Sequence, residues 1–530
     1  MNFKILITDD VSAQGLAQLD AATDVTYDVV KGLSPAELAQ HIKGYHGLIV
    51  RSSAKVTAEV LQAADVLKVV GRAGVGVDNI DVSAASEHGV IVMNTPGANT
   101  IATAEHTMAL LLSLVRNLPQ AYVQLKAGQW DRKRFTGTQL YHKTIGIIGM
   151  GRIGARVAQR CRGFSMKVIT YDPYLSDEVA ADLKVTPVTL DELLAQSDFI
   201  TLHAALTDST KKIINAEAVA KMKDGVCIIN AARGALIDDE ALIAGLESGK
   251  IAAAALDVFT TEPLPADSPL LKMDNVVVTP HLAASTVEAQ RDVGTQIVVQ
   301  MLDALHEVDF RNAINMPFSD ASILHGMQPY LNLAQKLGSL QAQLAESPIE
   351  HVEVEIKGEE IEDHIKPITV GILKGILELV LHRTVNYINA PHLAQRHGIS
   401  VSQTTGLHGP DYPNLLTCRV KLKNGARRTI MATLFNDEEP RIVQIDGWRV
   451  DVRPEGHILV TKSHDRPGFI GQVGTMLGAY NINIATWRTG RNEPGGLAIS
   501  FISVDHEVPA EVINAIRKID LMETVQTVKL

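Results

Sequence analysis

With 530 residues, 46% of them hydrophobic and 21% charged, the chain exceeds what one hydrophobic core can serve and reads as a soluble enzyme of three or four domains. A formal charge of −11 makes nucleic acid an unexpected partner and means that an anionic substrate would need a local cluster of arginines. The longest apolar run, near 108–115, is too short for a membrane span, and MNFKILITDD reads as a strand running into acids rather than as a signal peptide. Three scattered cysteines (Cys161, Cys227, Cys418) fit a reducing cytoplasm and argue against zinc or disulfides, so no metal is expected.

In chain order, strands are expected at 4–8, 47–50, 67–71 and 90–93 with helical stretches between them, an alternation that predicts a parallel α/β layer. Residues 103–118 are apolar around most of a helical circumference, which suits a helix buried on several sides, as at a subunit interface. The most informative stretch follows at 144–172, TIGIIGMGRIGARVAQRCRGFSMKVITYD. An apolar strand, 144–148, runs into Gly149, Gly151 and Gly154; a helix comes next, and a second apolar strand, 167–171, ends at Asp172. The first glycine permits a tight turn, the second lets backbone approach a pyrophosphate, and the third lets the helix pack closely on the strand. The helix directs its positive end at the phosphates. A carboxylate at 172 accepts hydrogen bonds from ribose hydroxyls and repels a 2′-phosphate, so NAD is expected in preference to NADP.

Strand and helix alternation continues through DFITLHAAL, GVCIINAARG, AAAALDVF and NVVVTPH, completing a doubly wound sheet near His281. A helix at about 285–304 is expected to return the chain to the first domain and close a cleft. Three residues fall just after strands of this sheet, at the carboxyl edge where ligands bind: His281 in TPHLAAST, Glu262 in TTEPLP and Arg233 in INAARG. They supply what oxidation of an alcohol needs from a protein. His281 is the candidate base for the hydroxyl proton, and Glu262 on its imidazole would set the tautomer and keep the proton available for the reverse reaction. Arg233 offers a planar fork for a substrate carboxylate. From about 316 the pattern changes to a helix, LNLAQKLGSLQAQL, and an alternating strand, HVEVEIKG, in a region without an acid, base or metal constellation. From 456 onward the order is strand HILVTKS, a helix after DRPG, strands NINIATWRT and LAISFISV, helix PAEVINAIRKI and strand TVQTVKL, a ferredoxin-like βαββαβ unit.

Through GMGRIG, NAARG, TEP and TPHLAAST, residues 1–316 resemble the D-isomer-specific 2-hydroxyacid dehydrogenases. RSSAKV (51–56), GRAGVGVDNID (71–81), NTPGANTIATAEH (94–106), VNYINAPHLA (385–394) and DGWRVDVRPEGHILV (446–460) extend the resemblance to the long members of that family that act on 3-phospho-D-glycerate. HDRPGFIGQVGTMLGAYNINIA resembles an ACT domain. The implied α/β architecture is a Rossmann-type NAD-binding domain (99–282) inserted in a flavodoxin-like substrate domain (1–98 and 283–316). An α+β intervening domain (317–452) and an ACT regulatory domain (453–530) follow.

The resemblance implies catalytic roles for Arg233, Glu262 and His281. It implies NAD positions for Gly149, Gly151, Arg152, Ile153, Gly154 and Asp172, with Asp257 near the nicotinamide. Arg51 and Ser52 would meet a substrate phosphate, backbone at Val75 and Gly76 would hold the carboxylate end, and Arg132, in WDRKRF, would reach a neighbouring subunit's substrate. Asp465 and Asn483 match positions that contact an effector amino acid, for which L-serine, the pathway's end product, is the candidate. The implied activity is NAD-dependent oxidation of 3-phospho-D-glycerate to 3-phosphooxypyruvate, the first step towards L-serine, by a cytoplasmic homodimer or homotetramer. Two departures stand out: Ala205 takes the place of a common proline, which leaves His203 only a candidate cofactor contact, and Ala98 replaces a common glycine with Gly97 one place earlier. The rivals are a reductase of another small 2-oxo acid such as glyoxylate or hydroxypyruvate, and a dinucleotide-gated corepressor scaffold without turnover. Arg51, Ser52 and the added C-terminal domains speak against the first, and an amino-acid-sensing tail against the second.

Overall fold

The computed structural model describes residues 2–318, 326–381, 384–407, 411–436 and 438–530. Five parallel strands form the first sheet, in the order Val25–Val29, Phe3–Ile7, Gly47–Val50, Val69–Arg72, Ile91–Met93. This is the flavodoxin-like 2-1-3-4-5 order. The strand Val25–Val29 is absent from the sequence reading for a physical reason. It lies at the sheet edge with only Val25 buried, so VTYDV carries no apolar run.

The second sheet has seven parallel strands in the order Val276–Val278, Ile251–Leu256, Val226–Asn230, Phe199–Leu202, Thr144–Ile148, Lys167–Tyr171, Thr186–Pro187. Strand order reverses between Thr144–Ile148 and Phe199–Leu202, which opens a crevice at their carboxyl ends, where doubly wound sheets bind nucleotides. Two long helices join the sheets. Thr100–Val115 packs on the second, and Val287–Leu305 returns to lie on the first, where a Cβ added to Gly15 would stand 2.7 Å from the Gly294 carbonyl oxygen. The former helix begins and ends three residues earlier than the pattern predicts. Asn117 adopts a left-handed conformation (φ 51°), and a new helix, Leu118–Lys126, starts with Pro119 in its first turn.

Beyond them lies a mixed six-stranded sheet in the order Ser400–Gly406, Ile349–Lys357, Leu415–Leu422, Arg427–Phe435, Glu439–Ile445, Trp448–Val452. The helices Gln328–Leu344 and Ile365–Val380 cross beside it so closely that a Cβ on Gly338 would collide with the Ile372 carbonyl. The last unit is a four-stranded antiparallel sheet, ordered Ile484–Arg491, Leu497–Val504, His457–His464, Met522–Lys529, with helices Phe469–Ala479 and Ala510–Ile516. Its chain order is βαββαβ, the expected ferredoxin-like arrangement. No helix among the described residues is long and apolar enough to cross a membrane.

Candidate active site

The glycine-rich turn sits at the crevice of the second sheet, and Gly149 and Gly154 have separate steric reasons. Gly149 has φ 92°, and a Cβ there would collide with the amide of Ala204 in the segment after Phe199–Leu202. Gly151 caps the helix Arg152–Gly163 and has open space where its Cβ would be, so an anionic group can approach the backbone and the first-turn amides of Arg152 and Ile153. Gly154 lets the helix close on the turn, since a Cβ would strike the Gly149 carbonyl oxygen. Asp172, just beyond Lys167–Tyr171, accepts from the Met150 amide (2.7 Å) and the Tyr174 amide (2.9 Å), which leaves each oxygen a lone pair for ribose hydroxyls. This donor and space arrangement fits an NAD molecule.

His203 lies beside the turn. Its Nε2 is 3.0 Å from Thr201 Oγ1, its Nδ1 is buried without a hydrogen-bond partner, and burial pulls the imidazole down to about 4. The ring is therefore neutral near pH 7.

Between the first two sheets lies a cavity of about 560 Å³. Arg51, Ser52, Val75 and Gly76 reach it from the first sheet, and Arg233, Glu262 and His281 from the second. His281 Nδ1 stands 2.8 Å from Glu262 Oε2, while Glu262 Oε1 accepts from the Phe259 amide at 3.0 Å. A carboxylate only accepts, so His281 carries its proton on Nδ1 when neutral and keeps the Nε2 lone pair for another partner. That is the geometry of a general base held in one tautomer.

The turn carrying His281 is built on Asp257, at the end of Ile251–Leu256. His281 has φ 55°, a left-handed conformation that side chains other than glycine rarely adopt. Three consecutive amides enforce it: those of His281, Leu282 and Ala283 donate to the Asp257 carbonyl (2.9 Å), Oδ1 (2.7 Å) and Oδ2 (2.9 Å). Thr279 Oγ1 donates to Oδ1 as well, at 2.6 Å. Burial alone would push the Asp257 carboxyl up, but hydrogen bonds from His106, Thr279, Leu282 and Ala283 outweigh it and hold the carboxyl below the usual range. Asp257 is fully buried and does not line the cavity, and its carboxylate holds the turn that carries His281.

Arg233 spans the cleft. Its Nε donates to Asp78 Oδ2 at 3.1 Å, its Nη1 to the Ala232 carbonyl at 2.7 Å, and its Nη2 occupies the space a Cβ on Gly76 would need. Arg72 joins it in the cavity, although sequence reasoning passed over it within GRAGVGVDNID. Burial, then repulsion from Arg233, pulls its guanidinium down to about 10, and its buried Nε has no hydrogen-bond partner. Arg51, Arg72 and Arg233 thus make the cation cluster that an acidic chain requires for an anionic substrate. Asp78, also unforeseen, is a carboxylate that a substrate anion would have to replace on Arg233.

Other expected residues lie elsewhere. Arg132 is exposed on the segment after Leu118–Lys126 and does not line this cavity. Asp465 and Asn483 do not meet within one chain. Asp465 pairs with Arg491 (2.6 Å) near Gly496, and Asn483 with Asp505 (2.9 Å), so they flank opposite ends of the eight-residue strand Leu497–Val504, a span of about 25 Å. Among the described residues no three His, Cys, Asp or Glu side chains converge as a metal site would require.

Comparison with known proteins places this geometry. Residues 108–283 match the D-isomer specific 2-hydroxyacid dehydrogenase NAD binding domain, 326–446 the D-3-phosphoglycerate dehydrogenase intervening domain, and 457–521 the ACT domain. A D-3-phosphoglycerate dehydrogenase of Methanocaldococcus jannaschii is 43% identical over 528 residues, covering 99% of this chain and 100% of the relative. One from Bacillus subtilis is 40% identical over 530 residues, with both chains fully covered. Among solved structures, the TT0316 protein of Thermus thermophilus covers 59% of this chain and 100% of its own at 34% identity and TM-score 0.55. The D-lactate dehydrogenase of Aquifex aeolicus, complexed with NAD and lactic acid, covers 57% of this chain and 96% of its own at 30% identity and TM-score 0.52.

Proposed function

Because the chain belongs to the D-isomer specific 2-hydroxyacid dehydrogenase family, alongside long relatives with intervening and ACT domains, we propose that it oxidises 3-phospho-D-glycerate to 3-phosphooxypyruvate with NAD, the first step towards L-serine. The observation that carries this reading is the convergence on one cavity of the His281–Glu262 couple and three guanidiniums, those of Arg51, Arg72 and Arg233. Three cations match a substrate bearing a carboxylate and a doubly charged phosphate. Arg51 and Ser52 hold the phosphate, backbone at Val75 and Gly76 and the fork of Arg233 hold the carboxylate, and Arg233 exchanges Asp78 for it. His281 Nε2 takes the hydroxyl proton, and Glu262 stabilises the imidazolium that results. Removing the electrons of the C2–H bond needs an oxidant, which is the chemistry NAD supplies when bound at the glycine turn and Asp172.

Steady-state NADH formation tests the reading. With 3-phospho-D-glycerate, kcat/KM is expected to exceed that with D-glycerate by about 100-fold or more, since two or three charge-assisted hydrogen bonds are lost without the phosphate. Faster reduction of glyoxylate or hydroxypyruvate than of 3-phosphooxypyruvate would transfer the site to the rival reductase, and no turnover of any of them to the scaffold reading.

The working form is a homodimer or homotetramer in the cytoplasm. The helix Leu118–Lys126 buries none of its residues and exposes Leu118, Tyr122, Val123 and Leu125, with Trp130 80% exposed shortly after it. A second copy covering this apolar face would bring Arg132 towards the neighbouring cleft. Three unpaired cysteines, none in a disulfide, suit a reducing compartment.

L-serine binds the ACT domain and slows the enzyme. Asp465 offers a carboxylate to an ammonium group in a cavity that also holds Arg491, and Asn483 can complete the site only from a second copy. Titration calorimetry is expected to show millimolar or tighter serine binding to the parent and at least tenfold weaker binding to both Asp465→Ala and Asn483→Ala, since each loses a charged or polar contact. Binding unchanged in both variants, or absent in the parent, removes the effector site.

A further inference from the structure

We propose that His106 is a positioning residue for the acid–base histidine: its imidazole, on the helix Thr100–Val115, braces through Asp257 and Thr279 the turn that presents His281 to the cleft. His106 Nε2 lies 3.2 Å from Asp257 Oδ1 and 3.2 Å from Thr279 Oγ1. The Thr279 hydroxyl gives its single proton to Asp257, and a carboxylate only accepts, so both atoms facing Nε2 are acceptors and Nε2 carries a proton. The chain therefore holds two histidine–carboxylate couples of opposite tautomer around the 279–283 turn. His281 donates from Nδ1 to Glu262, and His106 donates from Nε2 to Asp257.

His106 stands apart from the cavity proposed to hold substrate. It opens on a separate cavity between its own helix, the helix Leu118–Lys126 and the strand Val276–Val278, and not on the one that contains Arg233 and His281. Its contribution lies in where its proton comes from. The other side-chain and amide donors to Asp257, from Thr279, Leu282 and Ala283, belong to the same turn, so they can move together with it. His106 comes from a helix packed on the second sheet and ties that group to a rigid element. A left-handed residue such as His281 persists only where its surroundings over-determine it, and a fully buried carboxylate that loses a donor draws on whatever polar groups can shift towards it. Without the His106 proton the nearest such groups are the amides of the turn itself, and their movement carries His281 Nε2 away from the substrate hydroxyl.

The inference rests on the acid–base role proposed for His281, and the test keeps the two apart. Full-length protein is assayed with NAD and 3-phospho-D-glycerate, with rates normalised to NAD-binding sites so that inactive protein does not count. Leucine at 106 fills the ring's space without a donor, and glutamine places an amide N–H near the Nε2 position. H106L is expected to lower kcat roughly tenfold, the scale of a sub-ångström misplacement of a reacting group, with the substrate KM and the NAD Kd within about twofold of the parent; H106Q is expected to return to within about threefold. A kcat for H106L within twofold of the parent overturns the proposal. So does H106Q as slow as H106L, or a loss that appears only in KM. If neither variant retains NAD binding, T279V, which deletes the shared hydroxyl, against T279S, which keeps it, decides on the same terms, and equal rates overturn the proposal. Parent-like turnover by H281A would instead overturn the acid–base role on which it rests.

Discussion

In His281→Ala, kcat is expected to fall about 10²–10⁴-fold while NAD affinity stays within a few-fold of the parent. The imidazole is the group in the cavity with a free nitrogen lone pair and a carboxylate behind it, because Glu262 takes the Nδ1 proton and is itself oriented by the Phe259 amide. Loss of the ring removes both the proton acceptor and the charge that Glu262 is placed to stabilise. The glycine turn and Asp172 lie on other strands of the second sheet, so the cofactor position is untouched. Stopped-flow measurement of NADH formation beside a cofactor titration separates the two effects. A variant that turned over within a few-fold of the parent rate would remove His281 from the reaction. Glu262→Gln tests the couple more gently, since an amide can still accept from Nδ1 but carries no charge, and a smaller fall in kcat is expected there.

Arg233→Ala should raise KM and lower kcat together, with kcat/KM down about 10³-fold. A carboxylate clamp both holds the substrate and aligns its C2 hydroxyl with His281, so its loss appears in both constants. Arg233 also bridges the two sheets through Asp78, and the alanine variant leaves that carboxylate facing the incoming anion without its cation. Arg233→Lys is expected to recover only a part of the loss, because a point charge on a flexible stem lacks the two-pronged geometry. A change confined to KM would mean that Arg233 binds without aligning. Full recovery by lysine would mean that charge alone is needed.

Much of this was legible before the fold was known, wherever the chemistry is written in contiguous residues. The strand, glycine turn, helix and acid of 144–172 span 29 positions, and Gly149 and Gly154 each have their own steric cause in the structure, while Gly151 leaves open space. The βαββαβ order after Gly456 was readable because each of its strands is short, alternating or apolar, and bounded by turn residues. His281, Glu262 and Arg233 could be named because strand ends in a doubly wound sheet converge on one edge. The edge strand Val25–Val29 escaped because sequence periodicity reports burial, and an edge strand has little of it.

Residues whose role depends on partners far along the chain escaped for another reason. Arg72 ends an unremarkable strand, and only the approach of Arg233, 161 positions later, makes it part of a cation cluster. Asp78 and His106 likewise take their meaning from Arg233 and Asp257, across separations of 155 and 151 residues. The resemblance implies a place near the nicotinamide for Asp257, and it took the packed turn to show its carboxylate buried beneath His281. Asp465 and Asn483 stand close in sequence and far apart in space, since antiparallel pairing sends them to opposite ends of one strand. The amino-acid sequence by itself determined the class of chemistry, the cofactor and the order of elements in the last unit, because these follow from local hydrophobic period and from the turn residues between the elements. Which charges meet across the cleft, which carboxylate is buried and how each histidine of the site is hydrogen-bonded were decided only by the tertiary structure, because an ion pair or a hydrogen bond depends on ångström distances that no spacing along the chain specifies.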